Sequence, residues 1–363
     1  MSQIRPLRRD DIPLVARMFV DTYFGTEEEV RASLAAYLEA LFLGHPWFDP
    51  EIPPLVLTRP NGSAMGFMGI LPSRMMFDGR PVRAAIGHSI LVDKPKENPL
   101  AAAKLVRAFF AGPQDLTFSE WSSPLAVGLW KPLGGRTIPG YGTDWVRVLR
   151  PSGLAAYFVG AGWARLLRPL TSAADLLAGR LRKNPLRLTP AATGSYTDRD
   201  VAAEEIIEHL PEFTEHYRLK PTVDAACLRW QLGHASEKNF YGQAFKRMVF
   251  GKNGKPLGFY ICYMQPHRVG FVMQALARPE GAEAVVDSLL AHADAQRCVA
   301  VFGKIEPRMS AALLSRRCLL AQRTSTQIFC RNEELVTAIR CGDAYLMGLA
   351  GESWTRMIGE VFQ

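Results

Sequence analysis

One stretch in the first half of the chain has the residue types and spacing to hold a phosphate group. Val82–Val92 reads as a strand with one buried face, Asp93–Asn98 as a polar turn, and an amphipathic helix is predicted from Pro99. Pro99 suits the first helical turn, where its missing N–H costs nothing, and Asn98 is a competent N-cap. The start of such a helix presents unpaired N–H groups and the positive end of its dipole. The junction therefore predicts a seat for a pyrophosphate.

The composition predicts a globular protein of two domains. The chain has 363 residues, of which 48% are hydrophobic and 21% are charged, and this length exceeds one ordinary core. Met1–Asp11 contains no apolar stretch, so no secretory signal is predicted. No apolar run reaches the roughly 20 residues that a membrane-spanning helix needs. We therefore expect a cytoplasmic protein.

The reactive residue types form none of the familiar short motifs. All six cysteines lie in the second half and none forms a CxxC pair, which favours reduced thiols over a zinc site or a disulfide framework. The sequence lacks a Ser-His-Asp order, an HExxH motif and a P-loop. We therefore expect no metal site. Because no nucleic-acid-binding motif is present, we also expect no nucleic-acid partner.

Most of the net charge of +8 comes from one segment. Residues 150–190 contain seven basic residues against Asp175 alone, which leaves +2 for the rest of the chain. Glycines and prolines divide the segment into short apolar helices, and we interpret it as a connector. Arginines among Trp163, Leu166 and Leu167 could make a peripheral contact with an anionic surface such as the inner membrane, or dock an acidic acyl carrier protein. The alternative is that the apolar residues pack between the domains while the arginines face water.

Turn signals predict an antiparallel meander in the first half. Asn61-Gly62 and Asp78-Gly79, pairs that tight hairpin turns require, separate three strand-like runs at 55–59, 64–77 and 80–92. The other predicted elements are a strand at 4–8, two helices before the meander, a strand at 115–120, a short helix at 122–133, and a strand at 143–149 that closes the half.

The second half repeats this order of elements. Thr197–Asp200 opens a helix as Arg9–Asp11 does, and another meander turns at Asn253-Gly254. A strand at 326–331 completes the second set. A repeat of this length indicates two copies of one domain rather than a solenoid. The predicted division is 1–149 for the first domain, 150–190 for the connector and 191–363 for the second domain.

This order of elements resembles the GNAT superfamily of acyl-CoA-dependent N-acyltransferases, in tandem. Ile4–Pro13 looks like the usual first strand and helix of the superfamily, and Leu129–Gly135 is similar to its late-helix segment. The resemblance implies an α/β (α+β) fold of two GNAT-like domains, each a mixed, mainly antiparallel twisted sheet flanked by helices. It covers the first half at the level of pattern and the second half by element order alone.

The resemblance also implies where acyl-CoA, such as acetyl-CoA, binds as co-substrate. In the superfamily the pyrophosphate rests on the turn after the fourth strand, and the pantetheine lies between the fourth and fifth strands. Here Glu97 stands at the basic position of the family turn, and Leu100 and Ala102 stand at its glycines. A carboxylate repels a phosphate, and a side chain keeps the backbone away from it, although two nearby lysines could compensate. The implied coenzyme-binding residues are Leu91, Val92, Lys94, Lys96, Asn98, Leu100, Ala101 and Ala102.

Catalysis in the superfamily usually needs a carboxylate that removes the proton of the amine and a tyrosine that protonates the leaving thiolate. Glu120, at the end of the fifth strand, is the implied base, and burial would raise its pKa towards neutrality. Trp130 takes the usual place of the tyrosine, so Tyr141 is the nearest substitute. His88, in the middle of the fourth strand, could face the acceptor cleft. The structural alternatives are a surface carboxylate, a loop tyrosine and a hydrogen-bonded core histidine.

The resemblance implies an acyltransferase that moves an acyl group from a thioester donor, acyl-CoA or an acyl carrier protein, to an amine of a small molecule, glycan or peptide. One alternative is a Fem-type aminoacyl or peptidyl transferase, which a broad basic channel between the halves would favour. The other alternative is a non-catalytic GNAT-like module that binds partners in envelope or polysaccharide assembly. The departures at the turn and at Trp130 favour this last alternative.

Overall fold

The described residues form two sheets flanked by helices. The computed structural model describes residues 3–23, 32–159, 196–358 and 362. The first sheet contains β1 (Gln3–Pro6), β2 (Leu55–Thr58), β3 (Ala64–Phe77), β4 (Arg80–Val92), β5 (Leu116–Ser122), β6 (Arg136–Thr137), β9 (Leu219–Pro221) and β15 (Ser325–Cys330). The order across this sheet is β1-β2-β3-β4-β5-β15-β6, and β9 pairs with β3.

The second sheet has the same mixed, mainly antiparallel character. It contains β7 (Asp144–Val148), β8 (Tyr196–Asp200), β10 (Gln243–Gly251), β11 (Pro256–Met264), β12 (Val269–Ala277), β13 (Ala300–Lys304) and β14 (Leu319–Ala321), in the order β14-β7-β13-β12-β11-β10-β8. The parallel pairs are β4–β5 in the first sheet and β12–β13 in the second. The predicted fold class, with mainly antiparallel sheets flanked by helices, is confirmed.

The predicted meander of the first half is also present. β3 pairs with both β2 and β4 in antiparallel register. Phe77 faces Arg80 across the second hairpin, and the turn between them has positive φ at Asp78 (48°) and Gly79 (80°). Two such residues make the primed turn whose twist matches the flanking strands, which is why Asp-Gly was a usable signal.

Two strands lie in the opposite sheet from the one that their position in the sequence predicts. β7 was expected to close the first sheet but lies between β13 and β14, with Val146 opposite Phe302. β15 was expected to complete the second sheet but pairs with β5, with Ile328 opposite Phe118. The residue pattern of a strand is local, whereas the choice of neighbour depends on two distant edges. The two sheets therefore exchange strands.

Helices cover the first sheet on both faces. Phe19 and Phe42 lie in the core cluster that includes Phe67 of β3, whereas Phe109 and Trp130 lie in a second cluster with Met68. Successive side chains of β3 point to opposite faces of the sheet, so each face has its own apolar layer. The helices are α1 (Ile12–Tyr23), α2 (Ala32–Leu43), α3 (Ala101–Phe110), α4 (Pro124–Trp130), α5 (Pro139–Gly142), α6 (Pro151–Val159), α7 (Ala203–Thr214), α8 (Ala225–Ser236), α9 (Ala282–Ala295), α10 (Ser310–Ser315) and α11 (Glu333–Arg340).

The basic connector predicted at 150–190 lies mostly outside the described residues, so its proposed membrane and carrier contacts do too. Its described part is Arg150 and α6. The Arg150 guanidinium donates to the Cys298 carbonyl at 2.6 Å and to Asp294 Oδ1 at 2.7 Å, so this arginine is attached to the end of α9 and to the turn before β13. Among the residues that the structure describes, no helix is long and apolar enough to cross a membrane.

Candidate active site

The first sheet has an opening where β4 and β5 separate. The two strands pair in parallel only over Ala84–Ile86 and Leu116–Phe118. Beyond these residues β4 continues to Val92 and β5 continues to Ser122 without pairing to each other. The opening lies at the place where the resemblance puts the pantetheine of acyl-CoA.

The turn between β4 and α3 differs in detail from the sequence prediction. The helix begins at Ala101 rather than Pro99, and no side chain caps it. Asn98 is not the N-cap; its Nδ2 donates instead to the carbonyl of Asp93, the residue that follows β4, at 3.1 Å. The Asp93 carboxylate in turn pairs with Arg59. The turn is therefore held by contacts to its own start.

The predicted coenzyme-binding residues lie around this turn with different exposures. Lys94 is exposed and its Nζ lies 3.7 Å from Glu97, so the carboxylate that would repel a phosphate already has a partner. Lys96 is exposed as well. Leu100 is 66% exposed. Leu91 and Ala101 are buried, and Val92 and Ala102 are half-buried.

Glu120, the predicted base, is fully buried and accepts hydrogen bonds on both oxygens. Oε2 accepts the backbone N–H groups of Glu352 and Ser353, each at 2.9 Å. Oε1 accepts the N–H of Gly348 at 3.1 Å and the Ser353 hydroxyl at 2.5 Å. All these donors belong to residues 345–355, which we call the C-terminal segment. Burial raises the pKa of Glu120, as a base requires, but the carboxylate has no free oxygen in this arrangement.

Glu352 of the C-terminal segment makes the reciprocal contact. Its Oε1 accepts the N–H groups of Glu120 at 3.0 Å and Trp121 at 2.9 Å, and the Ser119 hydroxyl at 3.1 Å. These backbone groups follow the last residue of β5 that pairs with β4. Burial, and then the charge of Glu120, raises the pKa of Glu352 to about 8. The C-terminal segment therefore supplies the partners that β5 lacks beyond Phe118.

His88 connects the C-terminal segment to β4. Its Nδ1 lies 2.7 Å from Ser89 Oγ and its Nε2 lies 3.0 Å from Thr355 Oγ1. Burial, and then the nearby Lys238, lowers the pKa of His88 to about 3, so the ring is neutral. The C-terminal segment thus binds both strands where they separate, and His88 points towards it rather than towards open solvent.

Tyr141 and Trp130 occupy structural positions. The Tyr141 hydroxyl is buried, donates to the Ala344 carbonyl at 2.6 Å and accepts the Ala344 N–H at 3.2 Å. Burial, and then Glu306, raises its pKa. Trp130 packs on Phe110 with ring centroids 4.9 Å apart. The catalytic roles of Glu120, His88 and Tyr141 stay predictions. Glu120 and His88 contact the C-terminal segment, and Tyr141 contacts Ala344, the residue directly before it.

The second sheet has a matching opening that the same segment reaches. β12 and β13 pair only as far as Val272 and Gly303. Beyond them, Gln274 Oε1 accepts the Tyr345 hydroxyl at 2.8 Å and the Leu349 N–H at 2.9 Å. The start of the C-terminal segment thus binds the second sheet and its end binds the first.

Sequence reasoning missed the C-terminal segment. The two glycines of Leu346–Gly351 are a local signal for an irregular backbone, but nothing local indicates Glu120 or Gln274 as its partners. Gly351 is required by close approach, because an added Cβ would lie 2.3 Å from Glu120 Oε2. Among the described residues, no group of three His, Cys, Asp or Glu side chains could hold a metal ion.

The architecture is similar to that of solved N-acyltransferase structures. A protein from Enterococcus faecalis V583 described as a probable N-acyltransferase matches with a TM-score of 0.58 and 10% identity over 90% of this chain and 72% of its own. A GCN5-related N-acetyltransferase from Anabaena variabilis ATCC 29413 matches with a TM-score of 0.58 and 11% identity over 92% of this chain and 74% of its own. Saccharomyces cerevisiae N-myristoyltransferase with bound myristoyl-CoA matches with a TM-score of 0.50 and 12% identity over 90% and 78%.

These likenesses define the class of fold, which is GNAT-like. No protein-family model matches the sequence, and no curated protein does. At 10–12% identity the likeness is one of fold alone.

Proposed function

We propose that this protein is an acyltransferase that moves an acyl group from acyl-CoA to an amine. The observation that carries the proposal is the separation of β4 and β5 beyond Ile86 and Phe118 in a GNAT-like sheet. A gap between two parallel strands leaves backbone groups that a pantetheine amide can pair with. In this protein those groups of β5 are held by the side chain of Glu352, which a ligand can replace, rather than by another strand.

The turn between β4 and α3 supports the site of the pyrophosphate. Lys94, Lys96 and Lys104 are exposed there, against the exposed carboxylate of Glu97, while the Asp93 carboxylate pairs with Arg59. The first N–H groups of α3 are uncapped by any side chain and carry the positive end of the helix dipole. Lysines and a helix start together favour an anion, although this turn lacks the family's glycines.

The reaction forms a C–N bond and breaks the C–S bond of the thioester. The amine nitrogen attacks the thioester carbonyl, a base takes the proton of the amine, and the departing thiolate of CoA is protonated. Both oxygens of Glu120 are occupied in the described arrangement. We therefore infer that the C-terminal segment withdraws from Glu120 before this carboxylate serves as the base.

A non-catalytic binding module is the second candidate, because the C-terminal segment binds both strands of the opening. A Fem-type transferase has less support: the described residues that line the cavity between the two halves of the chain are mostly apolar rather than basic. An acyl carrier protein as donor and a membrane contact through 150–190 remain expectations from the sequence.

Isothermal calorimetry with acetyl-CoA and with myristoyl-CoA tests the proposal. We expect saturable binding of at least one donor, and a loss of about tenfold or more in affinity when Lys94 and Lys96 are both changed to Glu, since a charge-assisted contact contributes about 1.5–3 kcal/mol. Changing Lys252 and Lys255 to Glu is the matched control, because both are exposed on a turn of the second sheet. If neither donor gives heat at millimolar concentration, the proposal is overturned. Binding without transfer to any amine would favour the binding module.

A further inference from the structure

The Ser353 hydroxyl is held against the carboxylate of Glu120. Its Oγ donates to Glu120 Oε1 at 2.5 Å. The same oxygen accepts the indole N–H of Trp121 at 2.8 Å, so the hydroxyl proton is left to the carboxylate. Ser353 and Glu120 are 1% and 0% exposed, so water does not compete for either group. A hydroxyl bound to an adjacent base is the arrangement that activates serine as a nucleophile.

Glu120 is the member of the carboxylate pair that its contacts favour as the ionised base. It accepts three backbone N–H groups and the Ser353 hydroxyl. Burial raises the pKa of Glu120, and these hydrogen bonds lower it, because they stabilise the charged form. The three hydrogen bonds that Glu352 accepts are all on Oε1, so its Oε2 can carry the proton that the pair retains.

A second buried serine makes the same kind of hydrogen bond in another part of the protein. Ser288 of α9 is 0% exposed and donates to Asp198 Oδ2 at 2.6 Å. A serine bound to a carboxylate is therefore not special to Ser353. What distinguishes Ser353 is its place, because its two partners, Glu120 and Trp121, lie on β5 beyond the last residue that pairs with β4.

The donor that we propose would enter beside this hydroxyl. Ser353 is buried, so a thioester reaches its Oγ after a neighbouring group has moved. The Glu352 side chain, which the donor replaces, now holds the N–H groups of Glu120 and Trp121. The same two residues bind Ser353 Oγ through their side chains. Replacing Glu352 therefore opens space next to Ser353.

We propose that Ser353 is a site of O-acylation by the acyl-CoA that the protein binds, with Glu120 as the base. Ser353 Oγ attacks the thioester carbonyl, so that a C–O bond forms and the C–S bond breaks. The hydroxyl proton passes to Glu120 Oε1 and from there to the departing thiolate of CoA. The products are an acyl ester on Ser353 and free CoA. This step rests on the proposed function for its donor but needs no amine, and the C-terminal segment stays at Glu120.

Peptide mapping by mass spectrometry after incubation with acetyl-CoA tests the proposal. Trypsin cleaves after arginine, so residues 341–356 form one peptide. We expect one acetyl group on this peptide, which fragmentation places on Ser353 rather than on Cys341 or Thr355. Ser288 is the internal control: it is also buried and bound to a carboxylate, and it should stay unmodified.

Three variants separate the roles of the two groups. Ser353→Ala should abolish acetylation of the 341–356 peptide, whereas Ser288→Ala should leave it unchanged. Glu120→Gln removes the base and should slow acetylation of Ser353 by about two to four orders of magnitude. Circular dichroism establishes that each variant is folded, and mapping of the unmodified protein decides the question even if a variant does not fold.

Calorimetry with acetyl-CoA on the same protein separates the two possible failures. If the donor binds and Ser353 stays unacylated, the proposal is overturned while transfer to an amine is unaffected. If no donor binds, the acylation of Ser353 and the proposed function are both overturned. Equal acetylation of Ser353 and Ser288, or an unchanged rate in folded Glu120→Gln, would also overturn the proposal.

Discussion

Glu120 and Glu352 lie 232 positions apart in the sequence, and the side-chain carboxylate of each accepts the backbone N–H of the other. Glu120 Oε2 accepts the N–H of Glu352 at 2.9 Å, and Glu352 Oε1 accepts the N–H of Glu120 at 3.0 Å. The pair joins the end of β5 to the C-terminal segment. Two buried carboxylates this near one another favour a retained proton, which is consistent with the raised pKa of each.

Glu120→Ala should destabilise the fold strongly. The substitution removes the acceptor of three backbone N–H groups and of the Ser353 hydroxyl, all buried. We expect the free energy of unfolding to fall by about 3–5 kcal/mol in urea denaturation. Glu97→Ala is the control, because Glu97 is exposed on the turn after β4 and should change stability by about 0.5 kcal/mol or less. A loss below about 1 kcal/mol for Glu120→Ala would contradict the structural role of this carboxylate.

Stability should fall as the pH rises from about 7 to 8. Burial raises the pKa of Glu306 and of Glu352 from 4.5 to about 8. The folded state therefore keeps protons that the unfolded chain has lost above about pH 4.5, so their contribution declines until the folded groups also ionise near pH 8. Each group contributes a slope of up to about 1.4 kcal/mol per pH unit.

Glu306→Gln should reduce this slope. Glu306 Oε1 accepts the Tyr217 hydroxyl at 3.0 Å, a bond that an amide oxygen can keep. Histidines with lowered pKa values, such as His45, affect the slope mainly below pH 7, because their unfolded value is 6.5. Urea denaturation at several pH values from 7 to 8 measures the effect, with exposed Glu51→Gln as control. An unchanged slope in Glu306→Gln would show that this carboxyl is ionised in the fold.

Gly351→Ala should destabilise the contact between β5 and the C-terminal segment. The added Cβ would lie 2.3 Å from Glu120 Oε2 and 2.7 Å from the Leu346 carbonyl oxygen, so the backbone must shift. We expect a loss of about 1–3 kcal/mol in thermal or urea unfolding. Gly233→Ala in α8 is the matched control, because nothing lies within 4 Å of its added Cβ, and there alanine should stabilise by about 0.5–1 kcal/mol. Equal effects of the two changes would contradict the close packing at Gly351.

The sequence was informative wherever the cause of a structure is local. Asn61-Gly62 and Asp78-Gly79 favour tight turns through their own backbone preferences, so the meander of β2, β3 and β4 could be predicted. The start of α3 was harder to predict from the sequence, because Asn98 can serve either as a helix cap or as a donor to the residue that follows β4. Its amide bonds the Asp93 carbonyl, and the helix begins at Ala101.

The site was less predictable because its partners are distant in the chain. The position of Glu120 at the end of β5 follows from the strand pattern, but its donors come from Gly348, Glu352 and Ser353. The exchange of β7 and β15 between the sheets has the same origin. The residues of each segment specify a strand, but its neighbouring strand is specified only by the edges of the folded sheets.

Hydrogen–deuterium exchange with and without a saturating acyl-CoA tests most directly whether a donor occupies the opening between β4 and β5. We predict slower exchange in β5 and in the turn at 93–101, together with faster exchange in residues 345–355 as Glu352 releases the N–H groups of Glu120 and Trp121. The variant with Lys94 and Lys96 changed to Glu should show neither change at the same donor concentration. Unaltered exchange in β5 and in the C-terminal segment of the unmodified protein, with the donor shown to be bound, would contradict the proposed site.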